Sequence, residues 1–176
     1  MLYTLIHTAY GWLAIGGEGG RIARLSLPRP SREEAITALT GGMPVELVET
    51  ERDFTEIVDQ VDAYFEGECV DFRCELDFGE FGEFDRRVWE ATRTIGYGET
   101  RSYSWVAHRI GRYAGARAVG QSLKKNPLPL LVPCHRVVRA NGCPGGFSSG
   151  ITWKLRLLEL ERRGRRTEDC GRGNRE

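Results

Sequence analysis

Short apolar stretches alternate with glycine turns over the first 27 residues of the chain. They cover residues 3–6, 11–15 and 22–27, and the glycine-rich segment Gly16–Gly20 separates the second from the third. Apolar runs of this length joined by glycine turns are typical of β-hairpins. The pattern predicts three strands of an antiparallel sheet. Because no Gly-Lys-Ser/Thr follows Gly16–Gly20, we interpret this segment as a turn and not as a phosphate-binding loop.

Helical spacing replaces this alternation after residue 30. Ser31 is a suitable N-cap for a helix that runs through Leu39, and the pair Gly41-Gly42 stops it. A second helix is predicted over about residues 53–65, where apolar residues recur at helical spacing: Phe54, Ile57, Val61 and Phe65. Residues 70–78 favour a further extended segment.

A glycine-bearing hinge at residues 79–83 divides the chain into two predicted domains. The N-terminal lobe, residues 1–79, shows packing patterns but no visible chemistry. The second domain, residues 80–163, opens with a predicted helix at about residues 84–94. Any chemistry of the protein is therefore expected in this second domain.

Two short helices are predicted at about residues 103–110 and 116–125, on either side of a turn that holds two glycines. This arrangement is typical of a helix-turn-helix, although a purely structural helical hairpin has the same pattern. The second helix carries small residues and basic residues along one side. Small residues let a backbone come close, which suits contact with the minor groove and the phosphates more than base recognition in the major groove.

The formal net charge is zero, but the charges are unevenly distributed. Residues 1–100 carry a net charge of −11 and residues 101–176 a net charge of +11. Because Arg and Lys neutralise phosphates, this asymmetry indicates a nucleic-acid partner for the second half. Part of the excess lies in a basic tail, residues 164–176, which we interpret as a solvated, disordered terminus.

Composition also narrows the setting. The sequence contains no apolar run of 18 or more residues, which a membrane-spanning helix would need, and it shows no secretion signal. We therefore expect a soluble, cytoplasmic protein. The five cysteines are irregularly spaced and odd in number, which favours a reducing compartment over a disulfide framework. Since no Cys-x-x-Cys occurs and only three histidines are present, we expect no metal site.

The candidate chemistry is centred on Cys134-His135, inside the apolar run Leu130–Val138. A thiol becomes a good nucleophile when a neighbouring group lowers its pKa or takes its proton, and an imidazole commonly does so. The dipeptide alone is weak evidence, because buried cysteines and histidines are more often structural. Its sequence surroundings decide the interpretation.

Several motifs surround this dipeptide in a fixed order. Pro133-Cys134-His135-Arg136-Val137 is preceded by blocks at residues 84–89, 95–103 and 116–120, and followed by Gly145-Gly146-Phe147-Ser148. Together they resemble the O6-alkylguanine-DNA alkyltransferase family over roughly residues 80 to 162. The resemblance implies an α+β fold, with a ribonuclease H-like N-terminal lobe and a mostly helical C-terminal lobe that carries the helix-turn-helix.

The resemblance also implies a catalytic set. Cys134 is the alkyl acceptor, His135 is its base, and Glu161 orients the imidazole as the third member of a triad does. Asn126 is expected to fix the turn and to hydrogen-bond near the thiol. Without the resemblance, Glu161 would be interpreted as part of a solvated helix face and Asn126 as a turn residue before Pro127.

Substrate contacts follow from the same resemblance. An O6-alkyl group lies inside the base stack, so the nucleotide must be turned out into a pocket before a thiol can reach it. The residues expected to line that pocket are Tyr103, Val137, Phe147, Ser148 and Ser149. Arg117 is expected to enter the stack in place of the extruded nucleotide. The further DNA contacts are expected from Ala116, Ala118, Gly120, Lys124 and Arg101.

The tyrosine hydroxyl of Tyr103 is expected to reach guanine N3, and the Ser148 amide is expected to donate to O6. The carbonyls of Cys134 and Val137 would accept from the exocyclic amine. Arg136 is expected to form an ion pair or to bind a carbonyl. Phe147 stands where many relatives have tyrosine, Gly96 replaces a common proline, and Ser149 occupies a variable position beside the pocket.

The implied function is repair of O6-alkylguanine, and of O4-alkylthymine, in double-stranded DNA by irreversible transfer of the alkyl group to Cys134. A thioether has no easy route back, so each molecule acts once and needs no cofactor or metal. We expect a monomer that could bind DNA cooperatively. The alternatives are a protein that recognises alkylated DNA without repair, a cysteine hydrolase that uses Cys134 and His135, and a plain transcription regulator.

Overall fold

The computed structural model describes residues 1–50, 52–79 and 81–172, and its chain forms two compact units. Unit 1 consists of Met1–Glu66, Phe72–Gly79 and Pro127–Pro129, and unit 2 takes the other described residues. A single boundary at Gly79 would place residues 67–71 in unit 1 and residues 127–129 in unit 2. The structure instead assigns residues 67–71 to unit 2 and residues 127–129 to unit 1. No helix of the described part of the chain is long and apolar enough to cross a membrane.

Unit 1 is built on the three predicted strands. These are β1 (Leu2–Thr8), β2 (Gly11–Glu18) and β3 (Arg21–Leu25), and they pair as antiparallel hairpins. Alternate apolar side chains on one face of the sheet pack against the helix α1 (Arg32–Thr40), with Tyr3, Ala14, Ala35 and Leu39 at the centre of this core. The antiparallel core of the predicted fold is confirmed.

The helices of unit 1 begin and end close to the predicted residues. Ser31 caps α1, since its Oγ accepts the Glu34 N–H at 3.2 Å, and Gly41 ends the helix with a left-handed φ of 65°. A turn of 3-10 helix at Arg52–Phe54 leads into α2 (Thr55–Glu66). The second helix therefore starts two residues later than the sequence predicts.

Two short edge strands add parallel pairing to the predicted antiparallel sheet. The strands are β4 (Val48–Glu49), which the sequence did not predict, and β5 (Glu75–Leu76), which is all that the extended segment at 70–78 contributes. The sheet order is β4-β1-β2-β3-β5, and both edges pair in parallel. Each edge strand returns after an intervening helix, and such crossovers permit parallel pairing.

Unit 2 is mostly helical. Its elements are α3 (Glu83–Arg93), β6 (Arg101–Ser102), α4 (Tyr103–Arg109), α5 (Ala116–Lys124), β7 (Val137–Val138) and α6 (Ile151–Arg172). Trp89 of α3 is fully buried and donates its indole N–H to the Ser122 carbonyl on α5 at 3.3 Å. This contact joins α3 to α5.

The helix-turn-helix consists of α4, the turn at residues 110–115, and α5. Ser102 caps α4 by accepting the Trp105 N–H at 3.0 Å. Gly111 turns the chain with a φ of 73°, a conformation that costs glycine little, and a hydrogen bond of 2.7 Å from Gly115 N–H to the Arg112 carbonyl closes the turn. The two glycines of the predicted turn have the roles that the sequence indicates.

The helix α6 extends into the segment that the sequence analysis interprets as a basic tail. It continues beyond Glu161 to Arg172, which differs from the disordered tail expected from Gly164 onward. Glu159 forms ion pairs with Arg162 at 2.9 Å and with Arg163 at 2.7 Å, at the i,i+3 and i,i+4 spacings that extend a helix. Residues 173–176 of the predicted tail lie outside the described residues.

Candidate active site

An open cavity of about 590 Å³ in unit 2 contains Cys134 in its wall. The start of α4, one face of α5 and the loop after β7 enclose it. The parallel pairing of β6 with β7 sets Arg101 opposite Val137, so that α4 begins next to the turn that carries Cys134. The lining residues include Tyr103, Ser104, Ala116, Arg117, Gly120, Lys124, Arg139, Phe147 and Ser148.

Cys134 lies at the start of a turn of 3-10 helix, Cys134–Arg136, and only 5% of its surface is exposed. The Asn126 side-chain amide donates to Sγ at 3.2 Å and to the Val132 carbonyl at 3.0 Å. Leu130, four residues before the cysteine, is buried with a φ of 71°. The thiol is thus held in one position by a hydrogen bond from a residue on the other side of the loop.

The groups around Cys134 shift the pKa of its thiol in opposite directions. Burial raises the pKa of the thiol above its ordinary value, whereas the Asn126 hydrogen bond, the charge of Lys154 and the backbone N–H groups of Cys134 and His135 lower it. Burial dominates, so the resting group is the thiol. The same donors stabilise a thiolate once a base has taken the proton.

His135, Arg136 and Glu161 form a buried cluster behind the cysteine. The Glu161 carboxylate contacts His135 Nε2 at 2.7 Å and Arg136 Nη2 at 2.9 Å, and it also accepts the Gly98 backbone N–H at 3.0 Å. Arg136 reaches the Ile95 carbonyl at 2.6 Å through Nη1. This is the ion pair and the carbonyl contact that the sequence analysis expects of Arg136.

The charges in this cluster follow from its geometry. Burial alone would raise the pKa of Glu161, but His135 and the Arg136 guanidinium outweigh it and lower the pKa to about 2. Burial lowers the pKa of His135, so a neutral imidazole faces an ionised carboxylate. The Nε2–H then donates to Glu161, which leaves Nδ1 as the basic nitrogen.

Lys154 is a site residue that the sequence analysis missed. It is fully buried on α6, and its Nζ donates to the Val137 carbonyl at 2.5 Å and lies 5.7 Å from the ring centroid of Tyr103. Burial lowers its pKa to about 8, opposed by the Cys134 charge. The helical spacing of Lys154, Leu157 and Glu161 could have revealed it, because that spacing places the lysine on the buried face of α6.

Tyr103 and Phe147 supply the aromatic part of the cavity wall. The half-buried Tyr103 donates its hydroxyl to the Gly146 carbonyl at 3.4 Å, and burial raises its pKa. A Cβ at Gly145, whose φ is 74°, would lie 2.9 Å from that hydroxyl oxygen. The ring of Phe147 lies 6.0 Å from Lys154 Nζ. Gly145 therefore gives Tyr103 the space that it occupies.

The structure gathers most of the predicted residues around the cavity. Those in its lining are Cys134, Tyr103, Phe147, Ser148, Ala116, Arg117, Gly120 and Lys124. Asn126, His135 and Glu161 lie behind this lining, linked to Cys134 directly or through the buried cluster.

Four other predicted residues are also outside the lining. Val137 is fully buried, because its carbonyl faces Lys154 and its strand pairs with β6. Ser149 is half-buried beyond the lining residue Ser148, and Ala118 points from the exposed side of α5. Arg101 stacks over Trp105 at 5.6 Å and pairs with Glu99 at 3.1 Å. Val137 and Ser149 are therefore not in the lining where the sequence analysis expected them, and the DNA contacts expected of Ala118 and Arg101 stay predictions.

The described part of the chain offers no metal-binding cluster, because no group of three His, Cys, Asp or Glu side chains in it could hold a metal ion. The side chain of Cys170 lies outside the described part of the chain. The donor set around Cys134 is one of hydrogen-bond donors and cations, which suits a thiolate.

Fold and site together define a class: proteins in which a helix-turn-helix unit presents a buried, hydrogen-bonded cysteine at an open cavity. Residues 83–163 match the family model described as 6-O-methylguanine DNA methyltransferase, DNA binding domain, and residues 1–78 match that of the ribonuclease-like domain of the same family. The chain belongs to the 6-O-methylguanine DNA methyltransferase family. The resemblance seen in the motifs is thereby confirmed, and it extends over the N-terminal lobe.

Similar proteins cover almost the whole chain. The methylated-DNA–protein-cysteine methyltransferase of Mycolicibacterium paratuberculosis is 40% identical over 161 residues, which is 92% of each chain. The crystal structure of Mycobacterium tuberculosis OGT in complex with DNA has a TM-score of 0.79 at 39% identity, covering 93% of this chain and 94% of that one. The O6-methylguanine-DNA methyltransferase of Pyrococcus kodakaraensis strain KOD1 has a TM-score of 0.69 at 30% identity, covering 90% and 98%.

Proposed function

We propose that this protein repairs O6-alkylguanine in double-stranded DNA by moving the alkyl group onto Sγ of Cys134. One observation carries the proposal: the thiol lies in the wall of a cavity that the helix-turn-helix lines, with a hydrogen bond from Asn126 to its sulfur. A cavity open to the surface on a DNA-binding unit can receive a nucleotide turned out of the duplex. The proposal extends to O4-alkylthymine, whose alkyl oxygen is similarly placed on the base.

Binding of the lesion is assigned to α5 and the start of α4. Arg117 is exposed at the cavity edge, where its planar guanidinium can replace the extruded nucleotide by stacking on the orphaned base. Ala116 and Gly120 leave space for the backbone of the DNA, and Lys124 offers a charge to a phosphate. These roles are the ones that the family resemblance implies.

The chemistry begins with loss of the thiol proton. His135, whose Nε2–H is directed to Glu161, accepts the proton through its other nitrogen, and the resulting imidazolium is stabilised by the carboxylate. The thiolate then has Asn126 as a donor and Lys154 as a nearby cation. These groups offset the cost of forming an anion in a buried position.

Transfer is a displacement at the alkyl carbon. The S–C bond forms as the C–O6 bond breaks, and the electron pair of the broken bond moves onto the guanine ring. Tyr103 at N3 and the Ser148 amide at O6 would donate hydrogen bonds to the ring as its charge grows. The product is a thioether, which is a poor leaving group, so each molecule acts once and needs no metal or cofactor.

Intact-protein mass spectrometry tests this function. The protein is incubated with a duplex that contains one O6-methylguanine, and Cys134→Ala and Cys143→Ala serve as the matched variants. We expect one added methyl group per molecule, mapped to Cys134, in the wild type and in Cys143→Ala but not in Cys134→Ala. Selective binding of the lesion without any gain in mass would instead favour a protein that only recognises alkylated DNA.

A further inference from the structure

Two arginines stack on Trp105 of α4, outside the cavity lining: Arg101 of β6 and Arg109 at the end of α4. The guanidinium carbon of Arg101 is 5.6 Å from the Trp105 ring centroid, and that of Arg109 is 5.4 Å from it. Arg109 is exposed, and Trp105 is half-buried. We call these three residues the Trp105 surface. A cation that stacks on an aromatic face keeps its N–H edge available for a further partner.

An exposed aromatic residue stands at the neighbouring turn of the helix-turn-helix. Tyr113 has 77% of its surface exposed, although its ring stacks at 5.3 Å on that of His108. Where a nucleic acid is bound, an exposed aromatic ring can stack on a base. Tyr113 thus contacts α4 through His108, the residue before Arg109.

The charge around α4 restricts the kind of partner. Residues 100–158 contain ten Lys and Arg and no Asp or Glu. Arg101 forms an ion pair with Glu99 at 3.1 Å, whereas no ion pair of Arg109 occurs within the described part of the chain. A surface of this composition attracts a polyanion and repels basic partners.

The Trp105 surface is continuous with the candidate active site. Tyr103 and Ser104, the first residues of α4, line the cavity, and Trp105 follows them directly. A duplex that placed a nucleotide in the cavity would therefore bring neighbouring phosphates toward the outer side of α4. The partner that fits the position, the charge and the aromatic groups is the same DNA, beyond the lesion.

We propose that the Trp105 surface and Tyr113 bind the phosphate backbone of duplex DNA that flanks the nucleotide in the cavity. Arg109 contributes a positioned charge, Trp105 holds that charge in place, and Tyr113 contributes a stacking or van der Waals contact. This inference rests on the proposed function, since it takes duplex DNA as the partner. It adds a contact that binds undamaged DNA equally well.

The test measures binding to an undamaged duplex of about 20 base pairs by fluorescence anisotropy across a series of salt concentrations. The variants are Arg109→Gln, Arg109→Lys and Tyr113→Ala. The control is Arg93→Gln, which removes another exposed arginine, on α3. All four proteins are also reacted with free O6-benzylguanine, a small probe that needs no duplex.

We expect Arg109→Gln to weaken duplex binding by about 3- to 10-fold and to reduce the salt slope by about one. Arg109→Lys should restore the slope, and Tyr113→Ala should weaken binding by about 3-fold without changing the slope. Reaction with O6-benzylguanine should be unchanged throughout. Affinity and slope equal to the wild type in Arg109→Gln and Tyr113→Ala would overturn the inference.

The two proposals fail separately. A wild-type protein that binds the duplex but never gains an alkyl group refutes the repair function and leaves the contact on α4 testable by the same titrations. A wild-type protein that reacts normally, beside variants that bind DNA as it does, refutes the contact alone. If Arg109→Gln also lost its reaction with O6-benzylguanine, the substitution would have damaged the fold. Its binding data would then not support the contact, and the affinity of Tyr113→Ala would decide.

Discussion

Lys154 donates from Nζ to the carbonyl of Val137 at 2.5 Å, and neither residue has any exposed surface. The carbonyl expected to accept the exocyclic amine of guanine thus already has one donor. A carbonyl oxygen has two lone pairs, and this contact uses one of them. The lysine fixes the orientation of that carbonyl and at the same time places a positive charge near Cys134.

Lys154→Met should slow alkyl transfer and shift its pH dependence. The ammonium is present below its pKa of about 8 and favours the Cys134 thiolate, so its removal raises the pKa of the thiol further. Each unit of that increase lowers the thiolate fraction at neutral pH about 10-fold. Single-turnover rates with O6-benzylguanine between about pH 6 and 9 measure the shift. An unchanged profile, equal to that of Arg93→Met, would contradict the role.

Glu161→Gln should remove an acid-sensitive part of the free energy of unfolding. The folded pKa of Glu161, about 2, lies below its ordinary 4.5, so the carboxylate stabilises the fold above about pH 4.5 and this contribution is lost as the pH falls toward 2. Urea titrations of both proteins measure it. The difference in stability between wild type and variant should shrink by about 3 kcal/mol between pH 6 and pH 2. A constant difference would show that Glu161 is not held as an anion.

Arg136→Met should destabilise the protein by about 3 to 5 kcal/mol, because it leaves a buried carboxylate without its guanidinium partner. Chemical denaturation at neutral pH gives the value. The double variant Arg136→Met/Glu161→Met removes both charges and should be more stable than Arg136→Met alone. Additive losses in the double variant would mean that the two side chains contribute independently.

Asn126→Ala should slow alkyl transfer by about 10- to 100-fold. The variant loses the hydrogen bond to Sγ at 3.2 Å, and a hydrogen bond to an ionised group contributes about 1.5 to 3 kcal/mol. Transfer rates with a saturating lesion duplex isolate this effect from binding. Asn141→Ala, which alters an exposed turn asparagine, is the control. Equal rates for Asn126→Ala and the wild type would remove Asn126 from the mechanism.

Local patterns predict the parts of this protein that depend on neighbouring residues. The hairpin strands, the cap at Ser31 and the glycine-bearing turn of the helix-turn-helix each follow from a few adjacent side chains. The candidate active site was located through its motif, since Cys134 and His135 are adjacent. Glu161 was expected from the family resemblance, and the structure places its carboxylate on the imidazole.

Long-range pairing accounts for what the sequence did not predict. The edge strand β4 has two residues and no alternation of its own, so only its pairing with β1 defines it. Lys154 looks like an ordinary charge on a helix until the strand β7 is placed against it. Arg101 is a predicted DNA contact, and its stacking on Trp105, outside the cavity lining, becomes visible only in the structure.

The loop after β7 has consequences for directed evolution of the protein. Two features disfavour any substitution of Gly145: its left-handed backbone conformation and the close approach of Tyr103. A Cβ at the neighbouring Gly146 would meet no atom within 4 Å. Ser148 and Ser149 carry ordinary side chains beside it. A library meant to admit other leaving groups should therefore diversify Gly146, Ser148 and Ser149 and keep Gly145. The loop thus places a position that tolerates substitution, Gly146, directly after the position on which its shape depends, Gly145.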